Sequence, residues 1–266
     1  MAPVMNRMTC KQLLSGLGLL ALGVAPPARA QSPLPMQALA ALPGPARQAY
    51  LQTAFEQQAA LLFAKLGLGG QGLPLPVFRE GLVGYYNLRQ RQSRDQAPSL
   101  LTLIDFSRPS QRKRLWVIDV ANAKVLFHTF VAHGKASGAD VPVAFSNRDG
   151  SEMSSLGFYR TARAAYLGKH GLSLKLIGLD PGFNTNAESR AVVVHGAEYV
   201  CEDFVKAHGR LGRSQGCPAL PVAETAAIVQ AIKGGSVLYL HGPAEAGYRS
   251  QWLNMDTAVA AYAGLR

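Results

Sequence analysis

The chemistry in this sequence is read first from a cysteine in a glycine-containing segment, Gly212-Arg213-Ser214-Gln215-Gly216-Cys217-Pro218-Ala219-Leu220. A thiol that follows a glycine in a loop has backbone N–H groups exposed beside its sulfur, as an oxyanion hole requires. Gly216 lets the backbone approach a reacting carbonyl closely. Pro218 stiffens the exit from the loop, and Arg213 brings positive charge that favours a thiolate. A nucleophilic thiol also needs a base. His195, in Val194-His195-Gly196, stands at the end of an apolar β-branched run, where a strand would hold an imidazole rigidly. Cys217 and His195 together predict acyl transfer or hydrolysis through a cysteine nucleophile.

The flanking residues carry less specific signals. Ser214 reads as a hydrogen-bonding residue of its own loop, with substrate contact as the alternative. Arg213 offers a bidentate fork to a substrate carboxylate, or is a solvated loop charge. His133, before Gly134, reads as a structural histidine at a strand end, with lining of the cleft as the alternative. Ser146, Asn147, Ser151, Ser154 and Ser155 suggest a loop that satisfies its own backbone. His170, in Lys-His-Gly, reads as a turn. Cys201 could bridge Cys217, which would quench the nucleophile, but spacing alone does not fix the Cα separation a bridge needs. The reading adopted is a packed free thiol.

The elements that would position these residues are mostly strands. Apolar or alternating runs at Leu100–Ile104, Leu115–Ile118, Lys124–Val131, Ser173–Ile177, Ala191–Val194 and Val237–Leu240 predict strands, with a turn at Ala121-Asn122-Ala123. Ala46 to Leu66 predicts a helix with Leu51, Phe55, Leu62 and Leu66 on one face. Gly67, Gly69 and Gly70 end it, and a loop with Pro74 and Pro76 is expected next. Glu224–Ile232 predicts a short helix with Ala226, Ala227 and Ile228 inward, and Gln251–Tyr262 a terminal one. The expectation is a mostly β domain over residues 98–242, with short helices. A small helical segment and linker, 31–97, precedes it, and a tail, 243–266, follows.

Residues 1–30 read as an export signal. Arg7 and Lys11 precede an apolar stretch from Leu13 to Val24, and Ala28 and Ala30 fit a cleavage site before Gln31. No apolar run long enough for a membrane span lies beyond it, so no stable span is expected after cleavage. The 266 residues are 48% hydrophobic and 16% charged, which excludes an intrinsically disordered chain. The formal charge of +11 falls to +8 once Arg7, Lys11 and Arg29 leave with the signal. Such a charge suits an anionic partner such as a cell-wall polymer. Three cysteines are too few for a disulfide scaffold.

Taken together, these residues resemble the YkuD-type L,D-transpeptidases, in the branch of murein L,D-transpeptidase catalytic domains. In that family a histidine followed by a small residue stands upstream of a Ser-x-Gly-Cys loop, here His195-Gly196 and Ser214-Gln215-Gly216-Cys217. The likeness continues at Val131-Ala132-His133-Gly134-Lys135, Phe145-Ser146-Asn147, Ser154-Ser155-Leu156-Gly157-Phe158-Tyr159, Gly168-Lys169-His170-Gly171, Gly178-Leu179, Asn184 and Arg190. It spans roughly Leu100 to Leu240. The chain departs from the wider family at Gln215, often a histidine, and at Pro218-Ala219-Leu220, where an Asn or Arg often follows the cysteine.

The resemblance implies a β-sandwich or barrel-like catalytic domain acting on peptidoglycan stem peptides outside the cytoplasm. By that implication Cys217 attacks the carbonyl of the third stem residue, expelling D-alanine and leaving a thioester. His195 moves the protons, and the Gly196 carbonyl orients it. Backbone N–H groups of Gln215, Gly216 and Cys217 hold the oxyanion, and an amine of a second stem completes the cross-link.

No metal or organic cofactor is required by that scheme. Other readings compete. Water as acceptor would make an L,D-carboxypeptidase or another peptidoglycan amide hydrolase. A zinc site could draw on His133, His195, His241 and Cys217, but no short-spaced ligand pair supports it. A non-catalytic wall-binding module could stack Trp116, Tyr159 and Tyr166 on sugar. Nucleic-acid binding is not expected: Arg89–Arg94 and Arg108–Arg114 are basic without interleaved aromatics and read as solvated loops. No oligomeric state is encoded in any motif.

Overall fold

Three of the strand runs predicted from the sequence, at Leu100–Ile104, Leu115–Ile118 and Val237–Leu240, are almost uniformly apolar because two hydrophobic layers claim them, one on each face. β1 (Leu100–Asp105) is buried along its whole length. Its residues Leu101 and Leu103 point to one cluster, and Leu100 and Ile104 to another. The same alternation sends Trp116 and Ile118 of β2 (Leu115–Asp119) outward and Leu115 and Val117 inward. In β9 (Val237–His241) Val237 and Tyr239 face out, and Leu238 and Leu240 in. This is the period-two geometry of a strand read directly as core.

The computed structural model describes residues 36–91 and 97–265. The expected export signal, residues 1–30, lies outside them. The remaining strands are β3 (Lys124–Thr129), β4 (Gly157–Thr161), β5 (Tyr166–Gly168), β6 (Gly171–Gly178), β7 (Val193–Gly196) and β8 (Ala219–Leu220), and two short helices, α1 (Met36–Ala41) and α4 (Glu202–His208), accompany the four longer ones described below. Their order in the sheet is β3-β2-β1-β9-β4-β6-β7-β8, with β5 paired to β6. β1 and β9 are parallel, as are β7 and β8; the other pairs are antiparallel. Beyond β3 the chain bridges β8, with the Ala132 N–H donating to the Ala219 carbonyl at 2.9 Å. The continuation of β3, at one end of the sheet order, thus meets β8 at the other, and the sheet curls into a nearly closed barrel.

The barrel interior holds Leu100, Ile104, Tyr159, Leu174, Val194 and Leu238. α5 (Val222–Ile232) plugs it with Ile228, Val229 and Ile232. Ala226 and Ala227, expected to face inward, are exposed. The helix begins two residues earlier than expected, and Thr225, Ile228, Val229 and Ile232 form its buried face.

A helical layer covers the other face of β1, β2, β4 and β9. α2 (Gly44–Lys65) buries Phe55, Ala59 and Leu62. The segment expected to be a loop around Pro74 and Pro76 is instead the start of α3 (Leu75–Arg89). Pro74 is its N-cap and Pro76 lies in its first turn, where a missing N–H costs nothing. α3 buries Val77, Phe78, Leu82 and Leu88. Its Gly84 sits so close to β4 that a Cβ there would lie 2.1 Å from the Phe158 ring. The terminal helix, α6 (Met255–Leu265), starts later than expected, after a short 3-10 turn at Gln251–Leu253. It packs Ala258, Val259 and Tyr262 into the same layer, with Tyr262 edge-on to Phe55 at 5.7 Å. Leu34–Arg266 is one compact unit. No helix among the described residues is long and apolar enough to cross a membrane.

Candidate active site

β7 separates the two faces of the barrel wall residue by residue. Val192 and Val194 point into the barrel. Ala191, Val193 and His195 take the other face and line a cleft of about 760 Å³. On the neighbouring β6, Ser173 is paired with His195 and lines the cleft too, while Leu174 turns inward. On the other side, β8 runs parallel to β7 with His195 opposite Ala219. Cys217 precedes Ala219 by two residues, so the register carries its thiol into the same cleft.

His195 is 3% exposed. Its Nδ1 lies 2.9 Å from the Gly196 carbonyl oxygen. A carbonyl only accepts, so Nδ1 carries the proton and Nε2 of the neutral ring is left as a base. Burial lowers the His195 pKa, opposed by the Gly196 hydrogen bond and assisted by His170. The His170 ring is stacked on it at 4.6 Å. A Cβ on Gly196 would lie 2.8 Å from Thr225 Oγ1, so the carbonyl that orients the histidine is packed against α5.

The Cys217 sulfur accepts from the Val193 N–H at 3.4 Å and faces the Ala191 carbonyl at 3.8 Å. Burial pushes the thiol up from its ordinary pKa, while the Val193 N–H and Arg190 pull it down. The sequence pointed to Arg213 as the charge favouring thiolate; the cation acting on this sulfur is Arg190. Its guanidinium is held by the Ser146 and Met153 carbonyls at 2.7 Å and by the hydroxyls of Ser151 and Ser155. The serine-rich loop thus satisfies backbone and cradles an arginine. In the sequence Arg190 carries no signal beyond its part in the family likeness, because its partners lie 35 to 44 residues away.

The loop before the cysteine is tied internally. Ser214 Oγ donates to the Cys217 carbonyl at 2.6 Å and accepts from the Gly216 N–H at 3.0 Å. That N–H, expected among the oxyanion donors, is therefore occupied. The N–H groups of Gln215 and Cys217 have no hydrogen-bond partner among the described residues. Gly216 has φ of +123°, and a Cβ there would meet the Met153 carbonyl oxygen at 2.7 Å. Gln215 is exposed on the cleft rim. Arg213 also lines the cleft, donating to the carbonyls of Gly138 at 2.8 Å and Lys135 at 3.3 Å.

His133 does not line the cleft. It is fully buried, edge-on to Phe106, with Nδ1 2.8 Å from Arg114 Nη2 and Nε2 3.4 Å from the Gly138 carbonyl. Burial and Arg114 lower its pKa to about 4. The alternative of a cleft role is thus set aside in favour of the structural one: the ring seats the turn beneath Arg213. Arg114, read from sequence as part of a solvated basic loop, is itself fully buried and also donates to Val131 and Arg108 carbonyls.

Cys201 and Cys217 are both free. Among the described residues no group of three or more His, Cys, Asp or Glu side chains could hold a metal; His241, for one, pairs with Glu80 under α3 at 3.0 Å. Trp116 and Tyr159, offered as sugar-stacking aromatics, are buried in the two cores, whereas Tyr166 lies in the cleft.

The L,D-transpeptidase catalytic domain family matches residues 70–241, beginning within the helical layer rather than at β1. Curated proteins give no match. Among solved structures, an L,D-transpeptidase from Mycobacterium smegmatis is 16% identical with a TM-score of 0.33, over 54% of this chain and 59% of that one. An L,D-transpeptidase from Stackebrandtia nassauensis is 12% identical with a TM-score of 0.34, over 62% of this chain and 66% of that one. One from Mycobacterium tuberculosis is 16% identical with a TM-score of 0.29, over 53% and 57%. The chain spans less than two thirds of each of these structures. The extent of the family match decides the assignment: this chain belongs to the L,D-transpeptidase catalytic domain family.

Proposed function

We propose that the protein is a peptidoglycan L,D-transpeptidase with Cys217 as nucleophile and His195 as its base. The observation that carries this reading is the convergence of the thiol and an Nδ1-protonated imidazole in one cleft, built by adjacent parallel strands. In the resting site the thiol is protonated and His195 neutral, since burial raises the one and lowers the other. Attack on the carbonyl of the third stem residue is then coupled to transfer of the thiol proton to His195 Nε2. The oxyanion is received by the N–H groups of Gln215 and Cys217. Collapse breaks the bond to D-alanine, which leaves with the proton from His195, and a thioester remains. The amine of a second stem attacks that carbonyl and gives its proton to His195; the C–S bond breaks as the new amide forms, and the departing Cys217 sulfur takes the proton back from His195.

This chemistry operates where peptidoglycan is exposed, so the reading includes export of the chain by the segment at residues 1–30. Chromatography of products from a disaccharide tetrapeptide, beside Cys217→Ala, tests the function. A dimeric muropeptide with released D-alanine, absent from the variant, is expected. Tripeptide and D-alanine alone would make the protein an L,D-carboxypeptidase. No product of either kind would contradict the assignment.

A further inference from the structure

The charge around the cleft is one-sided. Four fixed cations line it, from four separate parts of the chain: Lys135 after β3, Lys169 in the β5–β6 turn, Arg190 before β7, and Arg213 before the cysteine. Among the described residues Glu152 is the one carboxylate lining the same cleft, and it is paired with Lys135 at 2.6 Å. Among the described residues Arg190 and Arg213 bond only to neutral carbonyls and hydroxyls, so those bonds fix their positions without cancelling their charge. Lys169 has no ion-pair partner among the described residues and is exposed at the tip of the hairpin that also presents His170 and Tyr166. Three cations therefore remain uncompensated around the sulfur and its histidine. In a concave site the potentials of like charges add and are less screened than on an open surface.

We infer that the cleft selects donor stem peptides carrying free backbone and side-chain carboxylates over the same stems with those groups amidated, with Lys169 and Arg213 as the contacts that discriminate. The inference rests on the stem-peptide reading above and concerns which chemical form of stem is taken. Amidation removes the charge and leaves the shape nearly unchanged, so a steric site would not distinguish the two forms and a cationic one does. Arg213 keeps donors beyond the Nη1 atom that holds the Lys135 and Gly138 carbonyls, and Arg suits a planar carboxylate. Lys169, in the β5–β6 turn, supplies a point charge on a flexible stem.

The test is calorimetric titration of two disaccharide tetrapeptides, one with free carboxylates at the second and third stem residues and one amidated there, into the full chain carrying Cys217→Ala. The free-carboxylate form should bind about tenfold more tightly at low salt, as expected for one or two exposed ion pairs. The preference should shrink at high salt. It should fall at least threefold in Cys217→Ala/Lys169→Gln and be restored with Lys169→Arg. Equal affinity for the two forms, or tighter binding of the amidated one, would overturn the inference. Because the readout is binding, a protein that shows the preference yet turns over neither peptide would refute the transpeptidase reading and leave the charge selection standing.

Discussion

His195 donates its Nδ1 proton to the carbonyl of its own neighbour, Gly196, at 2.9 Å. In the proposed mechanism this bond takes the place that a carboxylate or amide side chain fills in other triads. The orienting group is part of the backbone, and α5 lies so close that a Cβ on Gly196 would meet Thr225 Oγ1 at 2.8 Å. Orientation therefore depends on the fit of a helix against a strand end. Gly196→Ala should lower kcat/KM by about tenfold or more through displacement of the ring, while the folded protein persists. A variant with wild-type kinetics would show that the Gly196 carbonyl is not needed to place the base.

The resting thiol is protonated at neutral pH. Burial raises Cys217, and the Val193 N–H and Arg190 only partly offset it. Alkylation by iodoacetamide should thus rise with pH to a midpoint above the ordinary thiol value of about 8.5. Arg190→Met should move the midpoint higher, because a cation that stabilises the thiolate is lost. A plateau already reached at pH 7 would indicate a preformed thiolate–imidazolium pair instead.

The loop clasp of Ser214 has a separate consequence. Ser214→Ala removes the acceptor for the Gly216 N–H and the donor to the Cys217 carbonyl. We expect a loss of about 1–3 kcal/mol in stability for buried groups left unpaired. The rate should fall further than substrate affinity does, because the cysteine backbone is released. Urea denaturation together with steady-state kinetics checks both; an unchanged rate would leave the clasp a purely structural feature.

Acid should weaken the fold through His133. Its pKa is lowered to about 4 in the folded protein, against about 6.5 in an unfolded chain. The unfolded state then binds the proton more tightly. The associated stability is present above pH 6.5 and is lost as pH falls toward 4. The loss is at most about 3 kcal/mol by that linkage. Thermal unfolding of His133→Gln should show a flatter profile over this range than wild type; parallel profiles would contradict the assignment.

Much of this was legible in the amino-acid pattern. The apolar runs of β1, β2, β7 and β9 stand out because burial on both faces leaves few polar positions to blur them. Cys217 and His195 stand out by type and context. α3 was hidden because Pro74 and Pro76 read as loop residues until a helix N-terminus is considered. β4, with its sequence Gly-Phe-Tyr-Arg-Thr, carries only Arg160 exposed and no clear alternation. Arg190 and the His170 stack could not be read, since both depend on which loops the barrel brings together. The occupied Gly216 N–H was equally hidden, because a serine hydroxyl's partner is settled by loop geometry.

The helical layer belongs to the same structural unit as the barrel, and Gly84 tests how tightly. A Cβ at that position would lie 2.1 Å from the Phe158 ring, which is itself stacked on Tyr239 at 4.2 Å. Gly84→Ala should cost about 1–3 kcal/mol by overpacking, outweighing the helix-propensity gain of about 1 kcal/mol. A melting temperature equal to or above wild type would mean that α3 adjusts freely against the sheet.

The central claim is covalent catalysis by Cys217, and intact mass spectrometry of protein quenched during turnover of a disaccharide tetrapeptide tests it most directly. The account predicts an adduct of the stem lacking its terminal D-alanine, mapped by digestion to Cys217, labile to hydroxylamine as a thioester is, and absent from Cys217→Ala. Turnover with no adduct on Cys217, and with activity retained in Cys217→Ala, would contradict it.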